Sequence, residues 1–176
     1  MYLKRTNYPA YHHTLSAAAL LCFSQAIMAL PEDSKAILLV HAGSADLNQS
    51  THLGTYGGGV ALDQGTTHIR AARALTQGNA QNQLIKAVIE GEGKTQAHYW
   101  TLMSQDKPMM HAYADKIIYY PLQERIELIG HALVKQGQHQ VIAPVLHYHI
   151  KTQHVVSLPQ TDQQTVITIH PEQKTS

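Results

Sequence analysis

Charge is scarce in this chain. Only 14% of its 176 residues are Asp, Glu, Lys or Arg and the formal net charge is +1, which excludes the basic footprint of a nucleic-acid binder and the high-charge signature of disorder. Cysteine is reduced to Cys22 alone, so the chain has no internal disulfide and no cluster of thiolate metal ligands. Trp and Phe occur once each and aromatics total 6%; the apolar content is mostly Val, Ile, Leu and Ala, the composition of half-buried strands. Long apolar runs are missing except for one, from about Leu15 to Met28, which is short for a bilayer crossing. The length allows one domain with short appendages.

That single apolar run follows Lys4 and Arg5 and is succeeded by small residues at Ser24-Gln25-Ala26 and Ile27-Met28-Ala29. This is the layout of a cleaved secretory signal peptide, expected over residues 1–29, and it directs the remainder to an exported compartment. Cleavage would discard Cys22 and with it any cysteine nucleophile or thiolate ligand. Loss of Lys4 and Arg5 from the 13 basic residues would leave the chain slightly acidic against its 12 carboxylates.

Beyond Lys35 the pattern alternates apolar and polar residues in short runs, bounded by Gln64-Gly65, Gln77-Gly78-Asn79, Gly91-Glu92-Gly93, Asp106-Lys107-Pro108 and Gln136-Gly137. Period two with Gly and Pro punctuation predicts strands joined by turns, hence an all-β sandwich, roll or barrel. Strands are expected at 37–41, 59–63, 68–74, 83–89, 97–103, 116–120, 125–129, 132–135, 140–145, 146–150, 154–158 and 165–170. The domain is expected over 30–159, with 160–176 as a last strand or a flexible tail. An internal repeat accompanies this pattern. Gly58-Gly59-Val60-Ala61-Leu62-Asp63-Gln64-Gly65 matches Gly130-His131-Ala132-Leu133-Val134-Lys135-Gln136-Gly137 at an offset of 72, which points to stacked, quasi-repeating β-layers around one interior.

Motifs for chemistry are thin. Gly91-Glu92-Gly93-Lys94-Thr95 ends like a phosphate loop, yet Val88 stands where the first Gly is needed and an alternating strand follows instead of a helix, so a hairpin turn is expected. His147 and His149 share one face of a strand, but two ligands do not complete a metal shell. Ser44 lacks the second Gly of a nucleophile elbow, and the pairs Glu90 with Glu92 and Glu124 with Glu127 flank turns. No catalytic residue, metal or cofactor is expected, and the chain is not read as an enzyme.

The positive signal lies in residues two apart, which share a strand face. Leu38 with Val40, Val60 with Leu62, Ile69 with Ala71, Trp100 with Leu102, and Ile118 with Tyr120 and Leu122 would line an aliphatic interior. Such a lining is either an ordinary closed core or a lumen that holds an apolar ligand.

Several of these stretches carry a resemblance that runs from about Lys35 to Leu158. The segments are Tyr56-Gly57-Gly58-Gly59-Val60-Ala61-Leu62-Asp63-Gln64-Gly65, then Ile89-Glu90-Gly91-Glu92-Gly93-Lys94, then Lys107-Pro108 with His111-Ala112, and finally Leu128-Ile129-Gly130-His131-Ala132. In order and spacing they resemble the LptA/OstA-type family of periplasmic lipopolysaccharide-transport proteins. The resemblance implies an open, slightly twisted antiparallel β-jellyroll with a hydrophobic groove. It implies passage of lipopolysaccharide from the inner to the outer membrane, with acyl chains in the groove and sugars outside. It further implies partners joined end to end by edge strands: an inner-membrane-tethered jellyroll protein, the N-terminal domain of an outer-membrane translocon, and further copies of the chain. Carried onto this sequence, the lining comprises Leu38, Val40, His98, Tyr120 and Leu122. His98 departs from the larger apolar ring usual there, with Trp100 beside it. The rival reading is a structural or adaptor β-module with a fully packed interior that links envelope proteins.

Overall fold

The computed structural model describes residues 36–171 apart from Leu38, Asn82 and Asp162. The expected signal peptide and Leu38 therefore lie outside the described residues. Twelve strands follow one another: β1 (Leu39–Asn48), β2 (Leu53–Gln64), β3 (Thr67–Ala71), β4 (Arg73–Gly78), β5 (Leu84–Glu90), β6 (Ala97–Thr101), β7 (Met110–Ala114), β8 (Lys116–Tyr120), β9 (Arg125–Gln136), β10 (His139–His149), β11 (His154–Ser157) and β12 (Val166–Thr168). All pairings are antiparallel. The only helical element among the described residues is a 3₁₀ turn at Pro121–Gln123.

The register folds this sheet into two facing layers. In the first, residues 39–42 of β1 lie beside 60–64 of β2, followed by β3, β6, β7, the second half of β9, the first half of β10, and β12. In the second, residues 44–48 of β1 lie beside 53–56 of β2, followed by β4, β5, β8, the first half of β9, the second half of β10, and β11. The chain crosses between layers along one line of corners, at Gly43, 57–59, Ala72, 91–96, Asp115, 130–131 and Pro144. Backbone bonds stitch that line: Gly59 N–H to Ala72 O, Ala72 N–H to Glu90 O, Gly91 N–H to Asp115 O and Asp115 N–H to Gly130 O, at 2.9–3.1 Å. The hairpin turns lie at the opposite side, the mouth of the fold. β2 and β9 serve both layers, so hydrogen bonding runs in a ring from β9 through β7, β6, β3, β2, β4, β5 and β8 back to β9. β1 extends past this ring at one end and β10 to β12 at the other.

The internal repeat marks the two long corner strands. β2 and β9 each have 12 residues and begin 72 apart. Each bends through two successive positive-φ residues, Gly58 and Gly59 (71° and 84°) in β2, Gly130 and His131 (79° and 48°) in β9, and each ends at a positive-φ glycine, Gly65 or Gly137. In these two strands the left-handed pair turns the chain from one layer into the other, and glycine reaches that backbone at least cost; β1 and β10 make the same crossing at a register shift, at Gly43 and Pro144.

The expected strands are recovered with four differences. The first two, expected at 37–41 and 59–63, run on as Leu39–Asn48 and Leu53–Gln64 because each continues past its corner into the second layer. The run 68–74 is split at Ala72, which turns the corner between β3 and β4; residues 125–135 and 140–150 are each one long bent strand; and β7 (Met110–Ala114) was not anticipated. Gly91-Glu92-Gly93-Lys94-Thr95 is a turn, closed by Glu92 and Thr95 exchanging backbone hydrogen bonds at 2.9 and 3.0 Å. The segment after residue 159 contributes β12, which pairs with β10 at Gln140–Ile142.

Candidate functional site

The inner faces of both layers meet in one apolar cluster. Ile69, Tyr99, Ala112 and Ala132 come from the first layer, and Leu84, Ile89, Ile117, Tyr119, Ile126, Leu128, Leu146 and Tyr148 from the second. In the middle the space is filled: Ile117, Leu128 and Leu146 are fully buried, and Thr67 and Thr101 satisfy each other through their hydroxyls at 2.9 Å. Three tyrosines, Tyr99, Tyr119 and Tyr148, belong to this cluster, and Tyr56 is buried on β2. Burial pushes the Tyr148 hydroxyl up to about 12 and that of Tyr119 higher still, with Tyr99 and Glu124 adding to the latter. Both hydroxyls stay neutral.

Toward both ends the inner face comes into the open. Val40, Ala42, Ala45 and Leu47 of β1 pair with Leu62, Val60, Tyr56 and Gly54 of β2 and so point inward. Even so, Val40 is only half-buried and Leu47 is 44% exposed. At the other end Ile167 pairs with the inward-facing Val141, yet it is 62% exposed. The layers thus enclose a packed centre and leave apolar residues of the inner face exposed at each end. A depression of about 400 Å³ sits beside the β1 end, lined by His41, Ala42, Gly59, Val60, Ala61, Arg70 and Ala71. Among the described residues, no strand lies beyond β1 at one end or beyond β11 and β12 at the other.

Strand parity divides the residues expected to line the interior. Val60, Leu62 and Ile69 are buried on the inner face, and Val40 stands at its β1 end. His98, Trp100, Ile118 and Tyr120 are corrected to the outer face, because Ala97, Tyr99 and Thr101 on β6, and Ile117 and Tyr119 on β8, are the buried alternates. Leu122 lies in the 3₁₀ turn and is 69% exposed. The missed inner residues are Tyr99, Ala112, Ile117, Tyr119 and Leu128; a signal exists only for β6 and β7, where the small residues Ala97, Ala112 and Ala114 alternate with larger ones and face inward.

The outer residues form an array of their own. Tyr113, His98, Trp100 and His68 stack in sequence, with ring centroids 4.1, 4.3 and 5.0 Å apart. His98 Nε2 and His111 Nδ1 share a hydrogen bond at 3.1 Å. Burial holds the His98 imidazole down at about 4, helped by His111 and by Arg70, so it is neutral near pH 7. Arg70 lies over Trp100 at 5.2 Å and is tethered by Asp63 and by the Leu62 and Ile69 carbonyls. Tyr120 is covered by Arg125 at 4.4 Å and Lys86 at 5.9 Å. These are stacked, charge-capped surfaces, not apolar lining. His147 lies 3.9 Å from Glu127, and His149 stacks on His154. No group of three or more metal-ligating side chains is found among the described residues.

Comparison with known proteins falls in line with this geometry. Residues 39–154 match the family model described as LptA/(LptD N-terminal domain) LPS transport protein. The chain is 33% identical over 113 residues to the lipopolysaccharide export system protein LptH of Pseudomonas aeruginosa, an alignment that takes in 64% of this chain and 63% of that relative's length. A crystal structure of LptH from the same organism, described as the LptA-homologous periplasmic component of the lipopolysaccharide transport device, superposes with a TM-score of 0.69 at 24% identity. That superposition covers 80% of this chain and all of the other. A matched span that takes in the corner strands, the double-layered sheet and nearly the whole inner face leaves one conclusion: the chain belongs to the LptA/LptD N-terminal-domain family of lipopolysaccharide-transport proteins.

Proposed function

We propose that this protein is a periplasmic carrier that shields the acyl chains of lipopolysaccharide on their way from the inner to the outer membrane, and that it performs no catalysis. The observation that carries this reading is the exposed apolar inner face at the two ends of a double layer whose edge strands are free. Each methylene removed from water contributes about 0.8 kcal/mol, so one acyl chain of about a dozen carbons represents on the order of 10 kcal/mol of unfavourable exposure. Several chains cross an aqueous gap only under cover. A trough of uniform apolar character supplies that cover without holding the cargo at one point, and the energy for movement comes from elsewhere.

The free edges supply the continuation. Among the described residues no strand lies beyond β1 (Leu39–Asn48), and strand addition there would extend both layers and the trough with them. The partners proposed are an inner-membrane-tethered jellyroll protein, the N-terminal domain of an outer-membrane translocon and further copies of this chain. Export by a cleaved signal peptide over residues 1–29 completes the reading.

The packed centre supports a second reading, an adaptor module that only links envelope proteins. Photocrosslinking separates the two. A photoreactive residue at Val40, Leu62 or Ile69 labels lipopolysaccharide if the trough carries it, whereas His98, Trp100 and Ile118 do not. Labelling at none of the inner positions, with edge association intact, refutes the carrier and leaves the adaptor.

A further inference from the structure

The interior is packed at its middle, so a ligand reaches that part only if some element moves. Along the mouth, adjacent strands of the first layer are joined economically: residues 65–66 connect β2 to β3 and residues 137–138 connect β9 to β10. β6 and β7 are also antiparallel neighbours, with Thr101 opposite Met110, and a two-residue turn would suffice. The chain instead uses eight residues, 102–109. Both ends of this loop are tied within its own layer, Leu102 N–H to the Thr66 hydroxyl at 3.4 Å and Pro108 O to the Gln136 amide at 3.2 Å. At its apex Lys107 N–H donates to Ser104 O in a turn.

One residue of the loop leaves its layer. Met103 packs partly buried against the core, and the Tyr148 hydroxyl, which belongs to the opposite layer, donates to its sulfur at 3.9 Å. An unbranched thioether and a weak O–H···S bond make an adaptable contact that is readily undone. Met103 lies beside an inner face that continues through Ile150 and Val155, both only partly buried against the core. We propose that residues 102–109 are a movable strap across the mouth, latched by Met103 on Tyr148, and that acyl chains enter the interior where the strap lifts. This inference rests on the carrier reading and adds to it the place of entry and the group that guards it.

The test uses the full chain with Cys22→Ser, so that Met103→Cys and Tyr148→Cys carry the only thiols, joined by a reducible bismaleimide of about 10 Å span. A control pair, His68→Cys with His111→Cys, spans a similar distance across the outer face, since both residues flank Trp100 on successive strands about 5 Å apart. Association of fluorescent lipid A is followed by stopped flow, and circular dichroism verifies strand content. With the strap locked, loading slows by about tenfold or more and recovers on reduction of the linker, while the control pair loads normally in both states. Met103→Ala, without the linker, loads faster than the parent. Equal loading rates in the locked and released forms overturn the strap. If the control and the released form also fail to bind lipid A, the carrier reading itself falls, and the strap with it.

Discussion

A glycine-to-alanine pair within one loop tests the corner architecture with both variants differing by the same methyl group. At Gly91 an added Cβ would lie 2.2 Å from Thr95 O and 2.9 Å from Ala97 N, both backbone atoms. Relief requires moving the corner that joins β5 to β6 and loosening the Gly91 N–H bond to Asp115 O. Overpacking against backbone costs about 1–3 kcal/mol and a weakened backbone hydrogen bond about 1 more. Gly91→Ala is therefore expected to destabilise by roughly 3 kcal/mol. At Gly93, two residues on, φ is +59° and nothing lies within 4 Å of the added Cβ, so Gly93→Ala pays only the left-handed backbone penalty of about 1–2 kcal/mol. For a domain of this size about 2–4 °C of melting temperature accompanies each kcal/mol. Thermal unfolding followed by circular dichroism should place Gly91→Ala several degrees below Gly93→Ala. Equal melting temperatures would mean that the corner is slack and the layers are not joined through it.

The centre of the fold makes a second prediction: Leu128→Ala removes a side chain that is 1% exposed and costs about 2–5 kcal/mol by denaturant titration, whereas Ile118→Ala on the outer face costs much less. His98, held near 4 by burial, His111 and Arg70, binds its proton more readily in the unfolded chain, near the ordinary value of 6.5. Stability is complete above about pH 6.5 and declines toward pH 4, by on the order of 1 kcal/mol after solvent screening; His98→Phe should flatten that slope in a series of melts. Glu90, held below its ordinary value by hydrogen bonds from Lys116 and then Arg73, contributes stability above its unfolded value near 4.5 that is lost as pH falls through the lower folded one. Glu90→Gln removes this acid-limb dependence, and melts between pH 5 and 3 check it. A Pro placed at Ala45 blocks backbone donation along β1, and gel filtration or partner pull-down should show whether end-to-end association through that edge weakens while the fold persists.

Much of the β architecture was legible because strand period and turn chemistry are local. Lys116–Tyr120 was delimited to the residue, and the turns at Gln64-Gly65 and Gln136-Gly137 fell where positive φ was needed. The repeat at offset 72 marked the two corner strands before their geometry was visible. Parity was not legible on β6 and β8. Lys116-Ile117-Ile118-Tyr119-Tyr120 repeats each apolar type on both faces, so alternation carries no phase, and on β6 the largest ring, Trp100, occupies the outer face while Ala97 and Thr101 face in. β7 escaped notice because Met110-His111-Ala112-Tyr113-Ala114 offers only small or amphipathic residues.

The amino-acid order by itself determined that this chain forms strands, where most of them turn, and that two long segments share one bent form. Those features depend on side-chain alternation and on glycine, which act over a few residues. Only the tertiary structure decided which face of each strand is dry, that Met103 meets Tyr148 across the mouth, and that the inner face opens at both ends. These follow from how far the opposite layer stands from each residue, a distance set by pairings between segments remote in the chain.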